Sequence, residues 1–252
     1  MKRQLLIVLG VVALLMLIFT PVGQKSNVWA ESAKFYMSRG GSYFKKKQYD
    51  QALAEFTKAL EINPRYAEAY CNRAAIYLFL GQFNRAIVDC NKALELNPRM
   101  ALAYTNRSIA YEKKGQLELG LADCNKALEI DPRFYLAYTN RGSIYSKKGQ
   151  YNKALSDYNR AVALEPRDPI GYGGRGRVYL RTGLYNRAIV DSTKALELDP
   201  LYDESLIDRA EAFYLKGEYD KAWEDVRRGQ RIGTRFPPKL LEDLRQASGR
   251  EK

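Results

Sequence analysis

Apolar and polar positions follow a helical period along most of this chain, and the pattern restarts at a fixed interval. Within Ala67 to Met100, Tyr70, Arg73, Ala74 and Tyr77 fall at i, i+3, i+4 and i+7, which is one face of a helix. Gly81 then interrupts the pattern, as a residue closing a helix C-terminus would. Ala86, Cys90 and Ala93 set up a second helical face. Asn97-Pro98 stops it, because a residue before proline is driven out of the α region. Small residues at Ala74, Ala86 and Ala93 let two helices approach closely, so the stretch predicts a helical hairpin.

The hairpin recurs with a period of 34 residues. Pro64, Pro98, Pro132, Pro166 and Pro200 keep that spacing, and so do Gly81, Gly115, Gly149, Gly183 and Gly217. Two independent markers locked to one period mean an array of stacked units. Six units are predicted: 33–66, 67–100, 101–134, 135–168, 169–202 and 203–236. The first helix of each, helix A, is expected near residues 33, 67, 101, 135, 169 and 203, and helix B follows the turn. A hairpin of this size cannot bury its apolar face alone and must stack on its neighbours.

The order of aromatic, small, Tyr, Gly, Ala, small, Ala and Pro within each unit resembles the tetratricopeptide repeat (TPR). The resemblance covers residues 33–236. The family's frequent Trp near the start of the unit is Tyr here: Tyr36, Tyr70, Tyr104, Tyr138 and Tyr172. Lys47 stands where the first turn glycine belongs. In the sixth unit Thr234 replaces the proline and Gly229 the late alanine. Both departures sit at the ends of the array, where capping units are atypical. The fold the resemblance implies is an all-α, right-handed α-solenoid superhelix of six hairpins, followed by a C-terminal capping segment over 237–252. In that segment Leu240, Leu241 and Leu244 share one apolar face, expected to cover the open end of the last unit.

An arginine in each helix A lies sixteen residues before an acid in helix B: Arg39–Glu55, Arg73–Asp89, Arg107–Asp123, Arg141–Asp157, Arg175–Asp191 and Arg209–Asp225. A partly buried, bidentate ion pair is expected inside each hairpin. Just before each arginine runs a second series, Asn72, Asn106 and Asn140, interrupted by Gly174 and resumed by Asp208. The resemblance places this position on the concave groove, where an amide can donate to and accept from an extended peptide backbone. It implies further groove positions at Leu102, Thr105, Ile109 and Glu112, then Leu136, Thr139, Ser143 and Ser146. Lys45, Lys113, Lys147 and Arg181 recur near one rim. The carboxylate clamp of chaperone-binding members needs cations where this chain has Met37, Gly41, Asn72, Leu102 and Asn106, so that activity is rejected.

Gly171, Gly173 and Gly176 formally spell GxGxxG. That motif binds nucleotides only after a strand, and here it opens a helix A. Each interior glycine costs a helix about 1 kcal/mol relative to alanine, so this helix is expected to be the weak point of the array and a bend.

The charge is unusual: 41 Lys and Arg against 29 Asp and Glu, for a net +12. Such an excess gives solubility, or attraction to an acidic protein, a lipid surface or nucleic acid. Histidine is absent, which removes the commonest general acid–base group and metal ligand. Cys71, Cys90 and Cys124 match no zinc or CxxC spacing. They are expected to act as small packing residues, and neither a metal nor a cofactor is expected. Fourteen of the nineteen tyrosines fall at three recurrent packing positions, so the aromatic content is core rather than a base-stacking surface.

At the amino terminus Lys2-Arg3 precedes an apolar run from Leu5 to Phe19, closed by Thr20-Pro21. Residues 1–30 read as a secretory signal, cleaved after Ala30, or as an uncleaved membrane anchor. The run itself is shorter than the ~17–20 residues a spanning helix needs. Basic residues before the run keep that end cytoplasmic, which puts the repeats outside the cytoplasm. The expectation is an exported, non-enzymatic scaffold binding a partner segment in its groove during cell-envelope assembly. The alternative is a basic surface that holds an anionic partner by charge.

Overall fold

The computed structural model describes residues 22–249. Among the described residues there are thirteen α-helices and no strand. They are α1 (Val22–Lys45), α2 (Tyr49–Ile62), α3 (Ala67–Phe79), α4 (Phe83–Leu96), α5 (Ala101–Lys113), α6 (Leu117–Ile130) and α7 (Tyr135–Lys147). Then follow α8 (Tyr151–Leu164), α9 (Pro169–Arg181), α10 (Tyr185–Leu198), α11 (Asp203–Leu215), α12 (Tyr219–Ile232) and α13 (Pro238–Ser248). Odd-numbered α1 to α11 are the expected helices A and even-numbered α2 to α12 the helices B. The chain divides into two compact units after Ala110, inside α5.

Each hairpin turn is built the same way. The Gln82 N–H donates to Tyr77 O at 2.8 Å, and the Gly81 N–H to Leu78 O at 3.0 Å. Together these two bonds satisfy carbonyls that the helix end would leave without partners. The turn residue must take positive φ, and the five glycines spaced by 34 do so, between 69° and 78°. In the first hairpin Lys47 is forced to the same conformation, at φ 58°. Between units the side chain of Asn63, Asn97, Asp131 or Asp199 accepts from the backbone N–H two residues on, at 2.9 to 3.1 Å. That contact closes a turn before the next helix A.

The core follows the predicted stripes. Ala52, Ala59, Ala86, Ala93, Ala127, Ala154, Ala161, Ala188, Ala195 and Ala222 are buried in helices B, and the three cysteines are buried too. Helix A residues are sized to match. Phe56 and Tyr158 are large where Cys90, Cys124 and Ser192 are small, and each large ring faces a glycine. A Cβ on Gly40 would come within 2.6 Å of the Phe56 ring, and one on Gly142 within 3.2 Å of the Tyr158 ring. In the second unit, helix A also touches the next helix A, α7 with α9 and α9 with α11. The polar edges of these helices therefore lie side by side and form a continuous helix-A face.

One expectation is corrected. Helix α1 begins at Val22 rather than near residue 33. Helix α9 is an unbroken helix of the same length, 13 residues, as its counterparts, so its glycines do not break it. They make room instead: a Cβ on Gly173 would enter the Tyr202 ring and one on Gly174 the Tyr158 ring, and Gly171 lies against Val162. Ala30, after which cleavage is expected, lies within α1. The apolar run Leu5–Phe19 lies outside the described residues, and among those described no helix is long and apolar enough to cross a membrane.

The C-terminal segment caps the second unit as expected. Leu240 and Leu244 are buried against Leu206, Trp223, Val226 and Phe236. Trp223 Nε1 donates to Ser248 Oγ at 3.0 Å. The late alanine of the repeat is Gly229 here because the Phe236 ring occupies the space a Cβ would need.

Candidate partner-binding face

The arginine–acid pairs are structural. Five of the six expected pairs lie within one compact unit, and all five form. In four of them Nε and Nη2 grip both carboxylate oxygens: Arg73 on Asp89 at 2.7 and 2.9 Å, Arg141 on Asp157 at 2.8 Å twice, Arg175 on Asp191 at 2.7 and 2.8 Å, and Arg209 on Asp225 at 2.8 and 2.6 Å. Arg39 reaches Glu55 by a single 3.3 Å contact. The sixth pair, Arg107 with Asp123, has its members in different units.

The sequence reading missed each arginine's third nitrogen. Nη1 donates to the helix B of the preceding hairpin, onto Thr57, Asn91, Asn125, Asn159 or Thr193, at 2.6 to 3.2 Å. These acceptors are themselves spaced by 34, a signal the sequence carries. Arg73, Arg141, Arg175 and Arg209 therefore each tie a helix A to its own helix B and to the one before. Tyr70, Tyr104, Tyr138 and Tyr172 each carry a guanidinium on their rings, with centroids 5.4 to 5.6 Å away.

The expected groove residues divide into spent and unspent groups. In the first unit Thr105 is buried and donates to Ala101 O at 2.9 Å. Asn106 is also buried and donates to Cys71 O at 3.3 Å. In the second unit Thr139 is buried and donates to Leu136 O at 2.9 Å. These three are packing residues, because their polar groups are used inside the chain. Asn72, Ile109, Leu136, Asn140 and Ser143 are half-buried, Leu102 is exposed, and Lys113 and Lys147 are exposed at the rim. Asn72 makes no hydrogen bond among the described residues, and Asn140 Nδ2 is enclosed without an acceptor.

In the second unit Arg177, which the sequence did not single out, joins the expected polar positions Glu112, Ser143, Lys147 and Asp208 in a polar line. Glu112, buried at the end of α5, accepts from Ser143 Oγ at 2.6 Å and pairs with Lys147 Nζ at 3.1 Å. Arg177 in α9 donates through Nε to Asp208 at 3.0 Å and through Nη2 to Glu204 at 3.2 Å. Burial pushes the Asp208 carboxyl up to about 6, although Arg177 pulls it the other way. Burial also works against the charge of Arg177, but Asp208 and Glu204 outweigh it and hold the guanidinium above its ordinary value. Tyr158 is buried beneath this line, and burial raises its phenol.

Nothing in this arrangement resembles a reacting centre. Burial pushes the Cys71 thiol up to about 12, which disfavours the nucleophilic thiolate. Among the described residues no cluster of three or more His, Cys, Asp and Glu could hold a metal ion.

Comparison with known families gives three models of one kind. A tetratricopeptide repeat model matches residues 67–100 and 135–168, a TPR repeat model 40–81, and a further tetratricopeptide repeat model 101–134 and 171–200. No curated protein sequence matches. Among solved structures, a thermophilic TPR protein of Thermus thermophilus, TTC0263, is 28% identical at a TM-score of 0.65, covering 72% of this chain and 99% of its own. YrrB, described as a TPR protein with an unusual peptide-binding site, is 25% identical at a TM-score of 0.52, covering 76% of this chain and 97% of its own. PilW, a type IV pilus biogenesis factor, shares the fold at a TM-score of 0.70 with 23% identity, over 84% of this chain and 98% of its own.

Proposed function

The chain belongs to the tetratricopeptide repeat family, and from that premise we propose that it is a non-enzymatic scaffold holding an extended segment of a partner protein along its helix-A face. The observation that carries this reading is the half-buried Asn72 of the first unit, whose side chain makes no hydrogen bond among the described residues, with Leu102 exposed in the same unit. The peptide-binding site named for YrrB supports the same use of this fold. A preformed face also avoids an ordering cost on the receptor side. With the amino-terminal run read as an export signal or anchor, the setting we propose is cell-envelope assembly, with the repeats outside the cytoplasm.

The test is a pull-down from envelope extracts, comparing the wild type with Asn72→Ala/Asn140→Ala. Asn106 is left intact because its amide holds the Cys71 carbonyl. Specific partners should be lost from the double variant while its melting curve is unchanged. The same partners retained at the same yield would reject the face as the binding site.

A further inference from the structure

One cavity on the helix-A face of the second unit is built differently from the rest. It has a volume of about 540 Å³, and its walls include Lys147, Lys148, Arg177 and Arg181 with the hydroxyls of Ser143 and Ser146, and no carboxylate. The room comes from Gly174. At the equivalent place in the neighbouring repeats stand Asn140 and Asp208. Here the missing side chain admits the Tyr158 ring from behind, and the space in front of the ring stays open.

The cations around it retain donors. Lys147 pairs with the buried Glu112 through one contact and has an exposed ammonium, which carries three donors in all. Arg177 spends Nε and Nη2 on Asp208 and Glu204, and its Nη1 donates to nothing among the described residues. Lys148 pairs with the exposed Glu118. Arg181 is exposed at the end of α9 and makes no ion pair among the described residues. Of the acids that pair with Lys147 and Arg177, Glu112 and Asp208 are buried and Glu204 is exposed, and none of the three lines the cavity. They fix those cations in place without entering the cavity.

We propose that this cavity is a specificity pocket for one acidic side chain, Asp or Glu, of the bound segment. The proposal rests on the groove reading above and deepens it. The carboxylate sits before the Tyr158 ring, receives charge-assisted hydrogen bonds from Arg181 and Lys147, and accepts from Ser146. Such bonds are about twice as strong as those between neutral groups. The convergence of four cations on one cavity fixes the acid at one register of the segment, whereas a diffuse basic surface would respond to net charge alone. Gly174 and Tyr158 act together: the glycine opens the pocket and the ring floors it.

The test selects random extended peptides on the full chain at physiological ionic strength. It then measures Kd for one selected peptide and for its Glu→Gln or Asp→Asn counterpart. Selected peptides should share an acid at one register, and neutralising it should weaken binding about tenfold, the scale of losing a charge-assisted contact. Arg181→Ala removes a residue with no internal ion pair, so it should leave the fold intact and abolish the difference between the two peptides. Tyr158→Ser/Gly174→Asn rebuilds the neighbouring architecture and should also erase the acid preference while still binding peptide. Peptides selected without a fixed acid, or affinity that follows net charge whatever the register, would overturn the pocket but leave the groove reading standing. So would an acid preference that survives both variants. If no peptide at all is selected, both readings fall together.

Discussion

Lys47 shows most directly what one backbone position demands. It sits at φ 58° where five other turns use glycine, and a side chain in the left-handed region costs about 1–2 kcal/mol. Lys47→Gly should therefore raise stability by about 1 kcal/mol, read as a higher urea midpoint at unchanged slope. Gly174 is the opposite case, since the Tyr158 ring already occupies the space its Cβ would take. Gly174→Ala should cost about 1–3 kcal/mol by overpacking. In a Tyr158→Ser background the same change should be neutral or favourable by up to about 1 kcal/mol, because alanine is the better helix former. A penalty of equal size in both backgrounds would dissociate the two residues. Asp208 carries the pH dependence. Its folded-state value of about 6 lies above the ordinary carboxylate range, so its contribution is complete at low pH and declines as pH rises through that value. Relative to Asp208→Asn, the wild type should lose stability between pH ~4 and ~6, as followed by chemical unfolding at several pH values.

At the scale of the helix, the arginine ladder decides register. Arg73, Arg141, Arg175 and Arg209 each join three helices with bonds of 2.6 to 3.2 Å, and removing one partner leaves a buried carboxylate uncompensated. Arg175→Leu should cost about 3 kcal/mol, and Arg175→Leu/Asp191→Leu clearly less, since both charges are then gone. Equal losses in a double-mutant cycle would mean that the contact is not coupled. Helix α9 shows where local propensity misleads. Its glycines predict a weak helix on intrinsic grounds, but Tyr158, Tyr202 and Val162 pack against the places where Cβ atoms would be. The apolar area those side chains bury offsets the propensity cost, and the helix keeps the same span as its neighbours. The ion pairs and turn glycines were legible in the sequence because each is fixed by one period. The matches of Gly142 and Gly174 to Tyr158 were not, because they do not recur with the period and only close packing relates their volumes. The third arm of each arginine was legible in principle, as a Thr or Asn recurring every 34 residues.

For the whole molecule, stability is the sum of hairpins and the interfaces between them, and an open end is a liability. Helix α13 closes one end by burying Leu240 and Leu244 over Trp223, Val226 and Leu206. A chain ending at Phe236 should melt lower and self-associate, because burial of each leucine contributes about 1.5–3 kcal/mol and its loss bares apolar surface. An unchanged melting temperature and a monomeric elution would show that the cap is dispensable. The sequence alone determined the hairpin, its period, the fold family and five ion pairs inside the repeats. These follow from helical periodicity and from glycine and proline, whose backbone restrictions act locally and repeat with the chain. Only the tertiary structure decided which polar side chains remain for a partner. Thr105 and Thr139 spend their hydroxyls on carbonyls of their own helices, and Asn106 spends its amide on the Cys71 carbonyl of the neighbouring helix. It also decided that Gly174 and Tyr158 together make a pocket, because solvent access and enclosed volume depend on how adjacent units stack.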